Sequence, residues 1–199
     1  MSRDPAEHLA QTLGVEPDDL PAGVRDLPED ELRTLADAIA DELHAFDAPR
    51  LRPLVTLVDR LPTDLVVRIV EQRLGPRFAA RLAEHLPPAV GEALIARLPP
   101  AYLAAVAVHL ELPRCGPLLT SLPPERIAAA AAVLADEQRF DTAAAVAEHL
   151  HDAALEASLA AADDASVLAT VAHADAALAA RMLEHLGPER RDRLGALRS

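Results

Sequence analysis

The sequence has no lysine, no tryptophan, one cysteine and only 7 glycines in 199 residues. Aromatics are just as scarce: Tyr102, Phe46, Phe78 and Phe140 are all there are. Each shortage excludes something. Cys115 cannot close an internal disulfide, so no disulfide framework stands in for a core. The 19 bases are all arginine and face 32 acids, for a net charge of −13. Such a surface repels phosphate, so nucleic acid and anionic membrane surfaces are not expected partners. Four aromatics are also too few for a base-stacking surface. The longest nearly uncharged stretches, 99–110 and 127–135, fall short of the ~20 residues a spanning helix needs. No integral membrane segment is expected. Charge within Met1–His8, where a secretory signal would be apolar, points to a cytoplasmic location.

What is abundant is alanine and leucine, within a 51% hydrophobic composition. These residues lose least on entering a helix, whereas the β-branched and aromatic residues that favour sheet are sparse. An all-α chain large enough to bury a core follows.

The 17 prolines keep a count. Proline cannot sit inside a helix without cost but is preferred at its first position. Leu74-Gly75-Pro76, Leu86-Pro87-Pro88, Leu98-Pro99-Pro100 and Leu122-Pro123-Pro124 place a leucine before each break at 12- or 24-residue intervals, and Leu110 fills the missing beat. Leu134 falls one beat later; the count restarts at Leu150 and continues through Ala162, Ala174 and Leu186. Here Asp152, Asp163 with Asp164, and Asp175 replace proline as helix starters, since a carboxylate accepts from first-turn N–H groups. The intervening 136–141 reads as an irregular turn. A 12-residue unit makes a rod of only ~15 Å, unstable alone, so the units must lean on one another as a superhelix or α-solenoid. Within 75–86, Phe78, Ala79, Leu82, Ala83 and Leu86 share one face. The stretches 101–110 and 127–135 are apolar nearly all round and are expected to be surrounded by other helices.

Residues 1–48 read as an N-terminal helical cap or extension and 49–199 as the repeat region, together one compact unit. A short helix from Pro5 to Leu13 is expected, then a loop containing Glu16-Pro17-Asp18-Asp19-Leu20-Pro21, then the longest helix, Pro28–Phe46. Leu32, Leu35, Ile39, Leu43 and Phe46 form its stripe, which either packs within the chain or pairs with another copy; the helix at 29–47 is therefore the candidate for a homo-oligomer.

Runs such as Leu122-Pro123-Pro124-Glu125-Arg126-Ile127-Ala128-Ala129-Ala130 and Leu86-Pro87-Pro88-Ala89-Val90-Gly91-Glu92-Ala93-Leu94 resemble the short-helix superhelical N domain of MgtE-type magnesium transporters. Related armadillo-like modules, including those of the flagellar switch protein FliG, are similar. The resemblance covers roughly Leu61 onward and implies a right-handed stack of short helices acting as a regulatory or docking element. The 199 residues hold neither the paired nucleotide-binding-like module nor the membrane domain of those transporters, so transport is not expected of them. No carboxylate here is matched to an ion-sensing residue; magnesium sensing rests on the acidic charge alone.

Catalytic constellations are thin. His8, His85, His109, His149 and His185 each precede a leucine, four of them on the beat; a histidine in a last helical turn meets free carbonyls and the negative end of the dipole, which explains it structurally. His149, His151 and Asp152 are the densest candidate metal ligands, although two-residue spacing does not share a helical face. Cys115, beside Arg114 in a turn-like Pro113–Pro117, is either a buried residue or a reactive thiol. Asp163-Asp164 lacks the further acids of a metal-diphosphate site, and Glu16, Asp18 and Asp19 are set among prolines that prevent their alignment. Arg190, Arg191, Arg193 and Arg198 form a local basic cluster, read as solvating a terminal capping helix. No residue is assigned as catalytic, cofactor-binding or metal-binding. The expected function is a non-catalytic scaffold or regulatory module that binds a protein partner through its groove. The alternative is a small-ligand-binding or divalent-ion-responsive domain, or an enzyme with an apolar cavity. A pocket with convergent His, Cys or carboxylates would favour that alternative; an exposed apolar strip would favour the scaffold.

Overall fold

The computed structural model describes residues 5–197, and every regular element among them is helical. The helices are α1 (Pro5–Leu13), α2 (Ala22–Arg25), α3 (Glu29–Arg60), α4 (Thr63–Arg73), α5 (Pro76–Ala83), α6 (Pro88–Ile95), α7 (Pro100–Ala107), α8 (Leu112–Leu119), α9 (Pro124–Asp136), α10 (Phe140–Glu148), α11 (Asp152–Ala161), α12 (Asp164–His173), α13 (Ala176–Glu184) and α14 (Pro188–Leu197). A 3-10 turn, Pro17–Asp19, lies between α1 and α2. None of the described helices is long and apolar enough to cross a membrane. Two compact units divide between Arg60 and Leu61.

In the first unit α1 packs on α3, and Leu9, Ala10, Leu20, Leu32 and Ala36 form the core. The α1 range is the one expected, and a Schellman end follows it: Gly14 adopts φ 75° and Val15 N–H donates to Ala10 O. The α3 stripe is rotated by one position from the expected one. Ala36 and Ala40 are buried, Leu35 and Ile39 half-buried, and Phe46 is 56% exposed. Small side chains let the helices approach closely, and the leucines flank the contact.

The expected helix end at Phe46 is not observed, because α3 continues for 14 more residues through Pro49 and Pro53 to Arg60. Each proline removes one i→i−4 donor, leaving the carbonyls of Ala45 and Pro49 without theirs. Positions 45, 49 and 53 are all exposed, so water can take those carbonyls and the helix continues.

In the second unit, helices two apart in sequence pack on each other: α4 on α6, α5 on α7, α6 on α8, α7 on α9, α9 on α11, and α10 on α12. This is the α-solenoid arrangement, a 24-residue pair built from the 12-residue beat. Four helices, α5 through α8, have 8 residues each and depend on these neighbours for stability. Two devices start the helices. Pro87, Pro99 and Pro123 are N-caps held extended (ψ 129–142°) because a second proline follows each. Asp163 and Asp175 cap α12 and α13 by accepting from Ser166 N–H and Leu178 N–H, both at 2.7 Å. At α11 the expected cap Asp152 sits one residue inside the helix, and His151 Nδ1 takes the capping bond from Ala154 N–H instead. Leu134 falls inside α9, which ends in a Schellman turn: Gln138 has φ 57° and Arg139 N–H donates to Leu134 O. The core of this unit includes Cys115, Leu155, Val167, Met182 and Leu194, all at most 2% exposed.

Candidate functional site

An apolar groove, with a cavity of about 180 Å³, runs through the second unit between Val70 and Met182. One row of helices contributes Leu82 from α5, Leu103 and Val106 from α7, Ala130 and Ala131 from α9, and Leu159 from α11. The other contributes Leu94 from α6, Leu118 from α8, Val146 from α10 and Val167 from α12. Leu103, Val106, Ala107, Ala130 and Ala131 are half-buried, so the stretches expected to be enclosed on all sides face the groove on one side. On α5 the predicted face is right for Ala79, Leu82, Ala83 and Leu86, which line the groove, whereas Phe78 is 39% exposed and Ala80 is buried in its place.

Among the described residues, no Asp, Glu, His or Cys lines this groove. Its polar side chains are Tyr102, Arg126, Ser158, Ser166 and Thr170, and four of the five donate to backbone carbonyls. Tyr102 OH donates to Leu74 O at 2.8 Å, and burial pushes its ionisation above the ordinary tyrosine value, so it remains a neutral donor. Arg126 donates from Nε to Ile95 O at 3.2 Å and from Nη2 to Leu98 O. Ser158 and Thr170 hydroxyls donate to Ala154 O and Ser166 O, both at 2.8 Å, and the Ser166 backbone N–H donates to the Asp163 carboxylate at 2.7 Å. The groove therefore presents mostly hydrocarbon, with the spare lone pairs of a few hydroxyls and the remaining N–H groups of Arg126 as its only polar handles.

The stapling side chains follow a rule. Tyr102, Arg126 and Arg190 each reach the carbonyl 28 residues back (Leu74, Leu98 and Ala162); Arg126, Arg181 and Arg190 also reach one 31 residues back (Ile95, Leu150 and Leu159). Each closes the end of an earlier helix, whose last carbonyls lack intrahelical donors. The sequence contained the signal, because 28 is two beats plus one helical turn. Sequence reasoning passed over it by treating arginines as solvating charge.

The other candidate residues are dispersed. The backbone N–H groups of His85, His109, His149 and His185 bond carbonyls in the turns that end α5, α7, α10 and α13, the helix-end setting expected for them. His149, His151 and Asp152 do not bring ligand atoms together as a metal group. Instead, the Asp152 carboxylate pairs with Arg181 at 3.0 Å and His185 Nε2 at 3.4 Å, and the Arg181 hydrogen bond lowers its pKa. Cys115 lies within α8 rather than a turn and is 1% exposed. Burial first, then Glu84 and Glu111, push its thiol up to about 12, outweighing Arg114; it is a neutral core residue. Asp18 has only an exposed 4.0 Å contact with Arg25, and Asp163 is a cap. Arg190 and Arg193 bind the Asp164 carboxylate at 2.7 and 3.3 Å, and Arg191 bonds Leu186 O, so these three join α14 to the solenoid or cap a turn; Arg198 lies outside the described residues.

No protein-family model, curated protein or solved structure matches the chain.

Proposed function

We propose that this chain is a non-catalytic scaffold or regulatory module that docks an apolar segment of a protein partner in the solenoid groove. The observation that carries this reading is the groove's wall. It is continuous across α4 to α12 and mostly hydrocarbon, and Tyr102, Arg126, Ser158 and Thr170 each donate to a carbonyl of their own chain. Acid, base and nucleophile do not converge there: Cys115 is a neutral core thiol, and the Asp152 and Asp164 carboxylates are held by arginines away from the groove lining. The likeness of the Leu-Pro-Pro runs to MgtE-type N domains and armadillo-like modules supports the same role, since those repeats act as docking or regulatory elements.

The test is a photocrosslinking residue placed at Val106, with one at exposed Glu156 as control, in living cells. The expected result is polypeptide adducts at Val106 that vanish when Ala131→Glu is added. Adducts of low mass at Val106 would instead support a small apolar ligand, the second reading, which the cavity's size of about 180 Å³ favours. A melting temperature raised by millimolar Mg²⁺ would move the reading toward an ion-responsive domain.

A further inference from the structure

We infer that the occupant of the groove is an amphipathic α-helix with a basic half, a deduction that rests on the docking reading above. Backbone chemistry narrows the guest first. An extended segment brings N–H and C=O groups that need partners once they leave water. The groove has few to give: Tyr102, Arg126, Ser158 and Thr170 each already donate to carbonyls of their own chain, and Ser166 is the one further polar side chain along it. A helix satisfies its backbone internally and shows the groove only a stripe of apolar side chains.

Length and charge narrow it further. The groove crosses α5, α7, α9 and α11, three successive helix contacts. At 8–10 Å per contact it spans roughly 30 Å, the length of a helix of about 20 residues. Residues 111–184, which supply α8 to α13, hold 12 acids against 4 arginines. Three of those arginines, Arg126, Arg139 and Arg181, are bonded within the chain. Residues 61–110 hold 4 acids against 5 arginines. The net charge is therefore far more negative over α8 to α13 than over α4 to α7, and the guest's basic half lies toward α9 and α11. The guest helix's N-terminus, its positive dipole end, also belongs at that end.

Other occupants fit less well. The headgroup of a fatty acid or anionic phospholipid would find one cation on the groove wall, Arg126, within the acidic part of the chain. A second copy of this chain offers no basic helix of that length: α3, the one described helix long enough, holds 8 acids against 4 arginines.

The experiment is selection of a displayed library of random 20-residue segments on the immobilised full-length protein, followed by synthesis of the enriched peptides. Expected binders carry apolar residues at i, i+3, i+4 and i+7, net positive charge biased to the N-terminal half, and gain helical circular dichroism on binding. Their affinity should drop about tenfold or more with Val106→Glu and fall several-fold as salt is raised. Ala131→Glu serves if Val106→Glu does not fold. Groove-dependent binders that are extended, proline-rich or acidic would overturn the helix while leaving the docking reading intact. If no binder responds to either groove substitution, both fail.

Discussion

Residues 2–60 and 61–199 are written in the same alanine- and leucine-rich vocabulary, yet one builds a 32-residue helix and the other a stack of helices 8 to 13 residues long. Proline is present in both. In α3, Pro49 and Pro53 stand singly, four residues apart, and the carbonyls they orphan face water. In the repeats, Pro87, Pro99 and Pro123 are each followed by a second proline that forces the first into an extended N-cap, so the chain must turn; the single prolines there start helices or, like Pro117 in α8, lie within one. The two regions also end their helices differently. Along α3 the cation Arg50 serves only its own helix, donating to Phe46 O at 2.7 Å and lying over the Phe46 ring at 3.4 Å. In the solenoid, Arg126, Arg181 and Arg190 reach across 28 to 31 residues to close an earlier helix. A short helix is thus viable because its end groups are satisfied by a later repeat; a long one satisfies itself.

The strongest way to break this contrast is through the core. Leu155→Ala should destabilise the solenoid by about 3 kcal/mol in urea unfolding, since a side chain 1% exposed leaves a cavity. Arg126→Ala should follow at about 2 kcal/mol, because two helix-end carbonyls, Ile95 O and Leu98 O, lose a charged donor. Arg50→Ala, on exposed α3, should cost under about 1 kcal/mol. Equality of the two would refute the long-range staple. Prolines should respond with opposite signs. Pro49→Ala restores a helical N–H and is expected to stabilise by about 1–2 kcal/mol net of unfolded-chain entropy, whereas Pro99→Ala loosens an N-cap and should destabilise by up to about 1 kcal/mol.

Glycine separates packing from propensity inside the solenoid itself. A Cβ at Gly91 would meet Leu118 Cδ1 at 2.5 Å, so Gly91→Ala should destabilise by about 1 kcal/mol despite its better helix propensity. Gly116 has open space, and Gly116→Ala should stabilise by about 0.5–1 kcal/mol. The smallest effect is in acid. Ser166 N–H lowers the Asp163 pKa, and Arg190 and Arg181 lower those of Asp164 and Asp152. Carboxylates with lowered folded-state pKa values stabilise above the unfolded carboxylate range near 3.9, and that stability is lost as pH falls through the lowered values. Urea midpoints should therefore drop modestly between pH 5 and pH 2.5, and a triple Asp→Asn variant should flatten that slope.

Much of this architecture is legible in the chain. The Leu-Pro-Pro beat locates the starts of α6, α7 and α9, the bounds of α1 are read correctly, and Asp163 and Asp175 are recognisable as caps. The errors share a cause. The expected end of the long helix at Phe46 falls short because sequence alone does not reveal that positions 45, 49 and 53 face water. Asp152 was read as a cap because proximity in sequence does not reveal Arg181, which comes 29 residues later. Cys115 left two readings open until burial gave one.

The candidate groove was hardly legible at all, although its materials were in view. Residues 101–110 and 127–135 are apolar nearly all round, a pattern that enclosure and groove-lining produce equally well. What the sequence determined by itself was local: helix over sheet, from alanine and leucine propensity; unit length, from paired prolines; and a net charge of −13. What only the tertiary structure decided was which apolar faces meet each other and which are left to line a groove. That choice depends on staples reaching two repeats back and on side-chain volume at contacts such as Gly91 with Leu118, and neither is a property of any one stretch of chain.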